Sequence, residues 1–356
     1  MYRSTLVTLL SPLLTQLVDA SLYGESYLNH TCELKTPHWS CSALAHPNVT
    51  DSCCTETYGG LVLSTQFWDT YTGYESSGQL LPKDSWTLHG LWPDYCNGSY
   101  TQYCDLNRQF DPSPSPNTTT GTSSGTPVPP YKGPPITKYI EEAGKYDLLA
   151  YMNKYWINQG APNWYLWAHE FSKHATCFST FDTPCFGSSS PNSTSPTSLS
   201  TLLTFLPTAL SYYLSLPTHT FLATHSIHPS NTSTYTLSSL QHALTTEFGA
   251  LPYIGCSGPR YNNTAAGKAA NSTDTGYTVV SEVWYYYYVL GRVQDAATGG
   301  ITGFGRKKPV GADVNGGSVS SCAKAEGALR YLERSVGSVR AEKGKGGYGL
   351  QESLKF

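Results

Sequence analysis

The chain has 356 residues and a formal net charge of −3 at pH 7. This charge excludes a generally basic nucleic-acid-binding protein, although a site that grips one or two phosphates remains open. The length accommodates one large domain or two small ones.

Residues 1–20 are typical of a secretory signal peptide. Arg3 precedes an apolar run over residues 6–17, and Val18-Asp19-Ala20 supplies the small residues that a signal peptidase reads. No later apolar run reaches about 18 consecutive residues, so we expect a soluble protein that does not insert into a membrane. Its expected destination is the medium or, through the same pathway, a vacuole.

Cysteines and glycosylation sequons agree with this compartment. Ten cysteines are an even number in a secreted chain, which predicts disulfide bonds, although the spacing alone leaves their connectivity open. Asn-x-Ser/Thr sequons predict a glycosylated surface. They lie at Asn29, Asn48, Asn97, Asn117, Asn192, Asn231, Asn262 and Asn271.

Two strand-like segments come first along the chain. Residues 61–68 are mostly apolar, β-branched or aromatic, which predicts a strand. Residues 86–94 begin in the same way, and we expect Gly90 and Pro93 to turn the second half of this segment into a loop.

Residues 111–135 and 187–198 are rich in Pro, Ser, Thr and Gly, and this composition predicts two flexible insertions. Between them, residues 136–157 have apolar side chains at helical spacings, which predicts an amphipathic helix interrupted near Gly144. A leucine stripe from Leu199 to Leu206 predicts a further helix that Pro207 ends or kinks.

The strongest strand pattern covers residues 278–290, which include four successive tyrosines at positions 285–288. We interpret these tyrosines as sheet packing rather than as a platform for a ligand. After Cys322 a short helical pattern runs to about Val336. Helices mixed with strands in no regular βαβ alternation predict an α+β fold.

The segment 167–177, Trp-Ala-His-Glu-Phe-Ser-Lys-His-Ala-Thr-Cys, concentrates titratable side chains. In a helix with about 100° per residue, Lys173 lies about 40° from His169, and His174 lies about 40° from Glu170. The four side chains then share an arc of roughly 140°. A hydrophobic core does not need such a face, so the pattern indicates a functional site.

Two other interpretations of this segment remain open. A solvated helix face is the usual role of a charge cluster. A zinc helix needs His-Glu-x-x-His, because a spacing of four residues puts both imidazoles on one side. The spacing of five rotates His174 about 140° away from His169, so one metal ion would need a distorted helix. We therefore predict no metal and no other cofactor.

A second segment, Trp-Thr-Leu-His-Gly-Leu-Trp-Pro-Asp at 86–94, places His89 between Trp86 and Trp92. A lone histidine there is usually a hydrogen-bonded core residue. Together with His-Glu-Phe-Ser-Lys-His-Ala-Thr-Cys at 169–177, however, it resembles the two active-site segments of the ribonuclease T2 family. The members of this family are secreted, acid, base-nonspecific endoribonucleases. The second segment departs at Ala175, where the family usually has glycine; alanine is small, so we expect little damage.

The resemblance covers about residues 25–322 and implies one α+β domain over residues 21–325, in which an antiparallel sheet packs against helices. A C-terminal extension, 326–356, and the two insertions fall outside the common pattern. By analogy with fungal members of the family, we expect five disulfide bonds. They are Cys32–Cys54, Cys41–Cys96, Cys53–Cys185, Cys104–Cys177 and Cys256–Cys322.

The chemistry of RNA cleavage explains the residue types. The 2′-hydroxyl of RNA attacks the adjacent phosphorus, so the enzyme removes a proton from it and gives one to the departing 5′-oxygen. Two imidazoles suit this exchange because an unperturbed histidine titrates near roughly 6.5. The resemblance implies that His174 is the general base and His89 the general acid. It also implies that His169 holds the phosphate, while Glu170 and Lys173 stabilise the transition state. The residues alone leave acid and base unassigned.

The bases of single-stranded RNA are held mainly by aromatic stacking. The residues that match the first base site of the family are Trp92, Asp94 and Tyr100. Those that resemble its second base site are Gln66, Asn158 and Gln159. Each of these last three also has an ordinary structural interpretation, as a strand residue or a helix terminus.

The sequence therefore predicts a monomeric secreted enzyme that cleaves single-stranded RNA through a 2′,3′-cyclic phosphate to 3′-phosphate products. One rival is a metal-dependent secreted hydrolase, which the five-residue histidine spacing disfavours. Another is a catalytically idle family member that acts as a binding or toxic protein, which the presence of all five catalytic residue types disfavours.

Overall fold

An antiparallel sheet with its strands in the order β2-β1-β4-β3 organises the fold. The computed structural model describes residues 32–186, 197–257, 278–298, 305–324 and 326–341. The four strands are β1 (Leu61–Phe67), β2 (Thr87–Asp94), β3 (Tyr253–Ser257) and β4 (Thr278–Val289). Two short strands also pair with β4, namely β5 (Lys307–Val310) and β6 (Leu329–Arg330).

Strand β2 corrects one expectation. The predicted loop at Gly90 and Pro93 is wrong, because β2 continues through both residues to Asp94. Gln66 pairs with Leu88 and Thr65 pairs with Gly90, so His89 is an extra residue in β2 opposite this step. Such a β-bulge turns a side chain in a direction that a regular strand would not give it.

Helices cover one face of the sheet. They are α1 (Ile136–Glu142), α2 (Tyr146–Tyr155), α3 (Asn163–Lys173), α4 (Thr197–Leu214), α5 (Thr218–Thr224), α6 (Leu237–Phe248) and α7 (Val293–Thr298). The predicted interruption near Gly144 is confirmed, since Gly144 lies between α1 and α2 with a φ of 68°. Pro207 does not end its helix, because α4 continues to Leu214.

The two faces of the sheet carry different cores. Val62 and Tyr285 belong to the main core, which packs against the helices, whereas Leu63 and Tyr286 belong to a small cluster on the opposite face. Side chains of a strand alternate between faces, so neighbouring residues separate in this way. The interpretation of the successive tyrosines as sheet packing is confirmed by their burial in these two cores.

One apolar stretch among the described residues, Leu199–Thr224, is long enough to cross a membrane by length and composition alone. Of its most apolar window, 56% is buried inside the fold. Leu202, Phe205 and Leu210 of this stretch lie in the main core. The apolar face of α4 is therefore used for packing within the domain.

The segment after Cys322 is not helical, so the predicted helical pattern up to Val336 is wrong. It forms β6 and a short 3-10 turn, Val336–Ser338. Tyr331 is fully buried, and its hydroxyl accepts a hydrogen bond of 2.9 Å from the Trp86 indole nitrogen. The buried guanidinium of Arg334 donates to the carbonyl oxygen of Ser85 at 2.8 Å. Residues 326–341 thus pack onto the main core.

Five disulfide bonds cross-link the described part of the chain, and they join the cysteine pairs that the resemblance implies. They are Cys32–Cys54, Cys41–Cys96, Cys53–Cys185, Cys104–Cys177 and Cys256–Cys322. Cys53 and Cys54 place two of these bonds side by side.

Some expectations lie outside the described residues: the signal peptide at 1–20, most of the insertion at 187–198 and the end of the chain beyond 341. The same holds for the sequons at Asn29, Asn192, Asn262 and Asn271. The described sequons, at Asn48, Asn97, Asn117 and Asn231, all have exposed asparagines.

Replacing Tyr331 by alanine should lower the free energy of unfolding by about 3–5 kcal/mol, because it empties a fully buried aromatic site. Val336, which is 96% exposed, offers the matched control, and Val336→Ala should change stability by less than about 0.5 kcal/mol. Urea unfolding measures both values. Equal stabilities of the two variants would contradict the packing of this segment.

Candidate functional site

His89 is held at the bulge of β2 on the face of the sheet opposite the helices. Its ring stacks on Phe67 of the neighbouring strand, with ring centroids 3.7 Å apart. Its backbone carbonyl accepts a hydrogen bond of 2.7 Å from the Trp156 indole nitrogen. Contacts to its ring and to its backbone therefore both position the imidazole.

Helix α3 carries His169, Glu170 and Lys173 and ends at Lys173, so His174 is the C-terminal cap. The backbone of His174 has departed from ideal helix geometry, with a φ of −109°. His174 therefore does not lie at the angle to His169 that an unbroken helix would give it. The rings of His169 and His174 nevertheless lie with centroids 6.2 Å apart, because the chain turns back towards the site.

Glu170 joins the helix to the sheet. Its side chain is fully buried, and Oε2 accepts a hydrogen bond of 2.7 Å from the Trp92 indole nitrogen. Oε1 lies 3.6 Å from His89 Nε2 and has no hydrogen-bond partner. Burial raises the pKa of this carboxyl, and the charges of His89 and His169 oppose the shift. Glu170 is therefore a buried acid with one free oxygen beside an imidazole.

Gly90 makes this arrangement possible. A Cβ atom at position 90 would overlap the Glu170 carboxylate and would also crowd the Trp92 indole nitrogen. The glycine of the Trp-Thr-Leu-His-Gly motif is thus required for the close approach of α3 to β2.

His169 is oriented by a residue that the sequence patterns missed. Its Nδ1 lies 2.7 Å from Asp111 Oδ2, and the Tyr103 hydroxyl donates to the same oxygen at 2.8 Å. Asp111 is buried, although it is the first residue of the predicted flexible insertion. No sequence spacing connects Asp111 to His169, so only the fold brings them together.

His89 has an equivalent partner that was also missed. Its Nδ1 lies 2.6 Å from Glu282 Oε1, on β4. Here a signal was present, because Glu282 is the only charged residue of β4, whose other residues are mostly apolar or aromatic. A lone carboxylate in the centre of a sheet usually has a partner.

His174 and Lys173 lie in a strongly desolvated environment. His174 is buried and stacks on Trp92 with ring centroids 5.0 Å apart. Burial first, and then the charges of Lys173, His169 and His89, lower the pKa of His174 well below its usual value. Burial also lowers the pKa of Lys173, whose Nζ donates to the Ser115 carbonyl at 3.1 Å. His174 is therefore neutral over a wide pH range.

The residues assigned to the first base site lie near the end of β2. Trp92 makes an edge contact to the His89 ring, with centroids 4.7 Å apart, in addition to its contacts to Glu170 and His174. Asp94 forms a backbone bridge to Tyr100, whose side chain is 67% exposed. Burial raises the pKa of Asp94 to about 7. Trp92 thus contacts His89, Glu170 and His174, whereas the ring of Tyr100 is exposed to solvent.

The residues assigned to the second base site are engaged elsewhere. Gln66 is fully buried on the helix-facing side, where it donates to the Leu216 carbonyl at 2.9 Å and accepts from Thr218 at 2.8 Å. Asn158 donates to the Pro162 carbonyl at 3.2 Å, and Gln159 donates to the Tyr71 carbonyl at 3.0 Å. The hydrogen bonds of these three amides therefore go to other parts of the chain and not to the histidines, Glu170 or Lys173. Gln66 is correspondingly a core-packing residue and not the base-binding residue that was expected.

Among the described residues, His169, Glu170 and His174 form one group that could hold a metal ion, with potential ligand atoms within 4.8 Å of one another. The early end of α3 makes this approach possible despite the five-residue spacing. The same three side chains, with Lys173, are also suited to an anionic phosphate.

Comparison with known proteins identifies relatives for most of the chain. The sequence profile of the Ribonuclease T2 family matches residues 59–283. Ribonuclease Le2 from Lentinula edodes is 32% identical over 287 residues, which cover 80% of this chain and 92% of Le2. Ribonuclease T2 from Aspergillus oryzae is 33% identical over 244 residues, or 68% of each protein.

Ribonuclease T2-like 1-A from Candida albicans is 32% identical over 80% of this chain, but the chain spans only 57% of that protein. A solved structure agrees with the sequence relatives. Actibind, described as a T2 ribonuclease, superposes with a TM-score of 0.57 at 26% identity, covering 84% of this chain and 96% of Actibind. The α+β architecture predicted from the sequence is confirmed.

Gly90→Ala should force Glu170 away from Trp92, because the added methyl group occupies the position of the carboxylate. We expect the free energy of unfolding to fall by about 1–3 kcal/mol as a buried acid loses its hydrogen bond. The indole N–H resonance of Trp92 should also shift in an NMR spectrum.

Gly337→Ala is the control, since a Cβ atom there meets nothing within 4 Å. A Gly90→Ala protein with the stability and the Trp92 resonance of the wild type would show that the helix and strand do not depend on this glycine.

Proposed function

The chain belongs to the ribonuclease T2 family, and on this premise we propose that it is a secreted endoribonuclease that cleaves single-stranded RNA by transphosphorylation. The observation that carries the proposal is the convergence of two distant segments. His89 of β2 lies 3.6 Å from Glu170 of α3, and His174 at the end of α3 stacks on Trp92 of β2. Acid, base and carboxylate thus share one site.

His174 is suited to the role of general base. A base must be unprotonated before it can accept the proton of the 2′-hydroxyl. The burial of His174 and the positive charge of Lys173 keep its imidazole neutral in mildly acidic solution, because both lower its pKa. The 2′-oxygen can then form its bond to phosphorus.

His89 is suited to the role of general acid. Its Nδ1 is engaged by Glu282, which leaves Nε2 to give a proton to the departing 5′-oxygen. As the bond from phosphorus to this oxygen breaks, a 2′,3′-cyclic phosphate is left on one fragment. Water then opens the ring in a second step, with the two histidines in exchanged roles, and yields a 3′-phosphate.

The remaining residues can offset the charge that develops on the phosphorane. Lys173 supplies an ammonium group, and His169, held at Nδ1 by Asp111, presents its other nitrogen. Because burial raises the pKa of Glu170, its unpaired Oε1 can carry a proton and donate to a phosphate oxygen. Such preorganised donors stabilise a transition state without reorganisation of solvent.

We infer that a base of the RNA stacks at the end of β2, where Tyr100, whose ring is exposed, pairs through its backbone with Asp94. The raised pKa of Asp94 gives a carboxyl that can accept from, or donate to, a base edge near neutral pH. Stacking discriminates weakly among bases, which agrees with little base specificity. We expect a glycosylated monomer in the medium or a vacuole.

The group of His169, Glu170 and His174 supports one alternative function, in which a bound metal ion assists hydrolysis. Hydrolysis with an activated water needs no 2′-hydroxyl and yields no cyclic phosphate. The two candidates therefore differ in their products.

Digestion of a homopolymer RNA at mildly acidic pH with excess EDTA tests the proposal. We expect fragments ending in 2′,3′-cyclic phosphate, and a loss of at least about 100-fold in kcat for His174→Ala and for His89→Ala. His225→Ala is the matched control. His225 caps α5 and contacts Glu247 of α6, away from the site, so this variant should retain full activity.

Cleavage that appears only when a divalent metal is restored would favour the metal-dependent alternative. A correctly folded protein that leaves RNA intact under every condition would favour a binding or toxic protein without catalysis.

A further inference from the structure

We propose that Glu282 is a positioning residue that fixes the ring of His89 through Nδ1 and stabilises its protonated form. This proposal rests on the proposed function, since it concerns the general acid of that reaction. The contact itself joins His89 Nδ1 and Glu282 Oε1 over 2.6 Å, and each of the two side chains is 18% exposed.

The sheet register places Glu282 opposite the acid. Glu282 pairs with Phe67 across β1 and β4, and the Phe67 ring stacks on His89. On its other side Glu282 pairs with Gly255 of β3, where a larger residue would crowd its Cβ. The carboxylate is therefore held by backbone pairing on both flanks, and its position does not depend on a mobile loop.

Glu282 therefore determines which nitrogen of the His89 ring can exchange a proton with the substrate. When Glu282 accepts from Nδ1–H, the nitrogen that exchanges a proton with the substrate must be Nε2, which faces Glu170 Oε1 at 3.6 Å. Without that hydrogen bond, the ring could adopt either tautomer or flip. A carboxylate on the remote nitrogen is a general means of fixing the tautomer of a catalytic histidine.

The same arrangement occurs at His169, where Asp111 contacts Nδ1 at 2.7 Å. Two of the three histidines of the site thus have a carboxylate on Nδ1, whereas no carboxylate contacts the His174 ring in the part of the chain that the structure describes. This division agrees with His174 as the base, because burial and the charge of Lys173 lower the pKa of that ring.

Other titratable groups also lie near His89. Glu170 faces it from α3 at 3.6 Å, and the charge of His89 makes the smallest contribution to the lowered pKa of His174. Asp69 lies two residues beyond β1, and burial raises its pKa to about 6, against the opposing charges of Arg334 and His89. Glu282 alone among these carboxylates makes a direct hydrogen bond to the ring.

Two variants separate charge from orientation. Glu282→Gln keeps an acceptor for Nδ1–H but removes the negative charge, so the alkaline limb of the kcat/KM profile should move to lower pH by on the order of one unit. Glu282→Ala also releases the ring, and kcat should fall by on the order of 10–100-fold with KM changed by less than about twofold. Glu247→Ala removes a carboxylate from His225 and should change neither quantity.

An NMR measurement tests the contact without relying on activity. The wild type should show a downfield Nδ1–H proton of His89, assigned by its absence in His89→Gln. Glu282→Gln should retain a weaker signal, and Glu282→Ala should lose it. Thermal unfolding checks that each variant is folded.

Folded Glu282→Ala and Glu282→Gln proteins with the kcat, pH profile and Nδ1–H signal of the wild type would overturn the proposal. If the wild type cleaves no RNA, the proposed function fails on its own, and the Nδ1–H signal still decides whether Glu282 holds His89. Loss of the signal without any change in kcat would make Glu282 a structural partner only, which also contradicts the proposal.

Discussion

The rest of the site depends on the burial of one carboxylate between a strand and a helix. Glu170 is fully buried, and its Oε2 accepts a hydrogen bond from the Trp92 indole in the space that the bare backbone of Gly90 leaves open. Burying a carboxyl group costs free energy unless the group is hydrogen-bonded, and the bond from Trp92 offsets part of that cost. This contact brings His89 of β2 within ion-pair distance of α3.

Much of this could be predicted from the sequence, for physical reasons. Strands β1 and β4 are rich in apolar, β-branched and aromatic residues, a composition that predicts strands rather than helices. The break between α1 and α2 could be predicted because glycine readily adopts the left-handed backbone found at Gly144. The five residues proposed as catalytic could be picked out because they lie in two short segments, 86–94 and 167–177. The disulfide pairing came from the resemblance alone, since spacing does not encode connectivity.

The errors arise where tertiary contacts override local preference. Pro93 was expected to start a loop, but β2 is an edge strand whose pairing with β1 does not need the missing N–H. Residues 329–331 had a helical pattern, yet pairing with β4 and the burial of Tyr331 hold them extended. Asp111 and Glu282 were missed because they reach the histidines from elements distant in sequence, and Gln66 was misplaced because its amide completes the core.

The central claim is that the substrate's own 2′-hydroxyl is the nucleophile and that two histidines move its protons. The most direct measurement compares a dinucleoside phosphate with its 2′-O-methyl counterpart, both at mildly acidic pH with EDTA present. The account predicts that the first releases a 2′,3′-cyclic phosphate and that the second is not cleaved. Cleavage of the methylated compound would mean that water or another group attacks phosphorus, and the assignment of His174 as the base for the 2′-hydroxyl would be wrong.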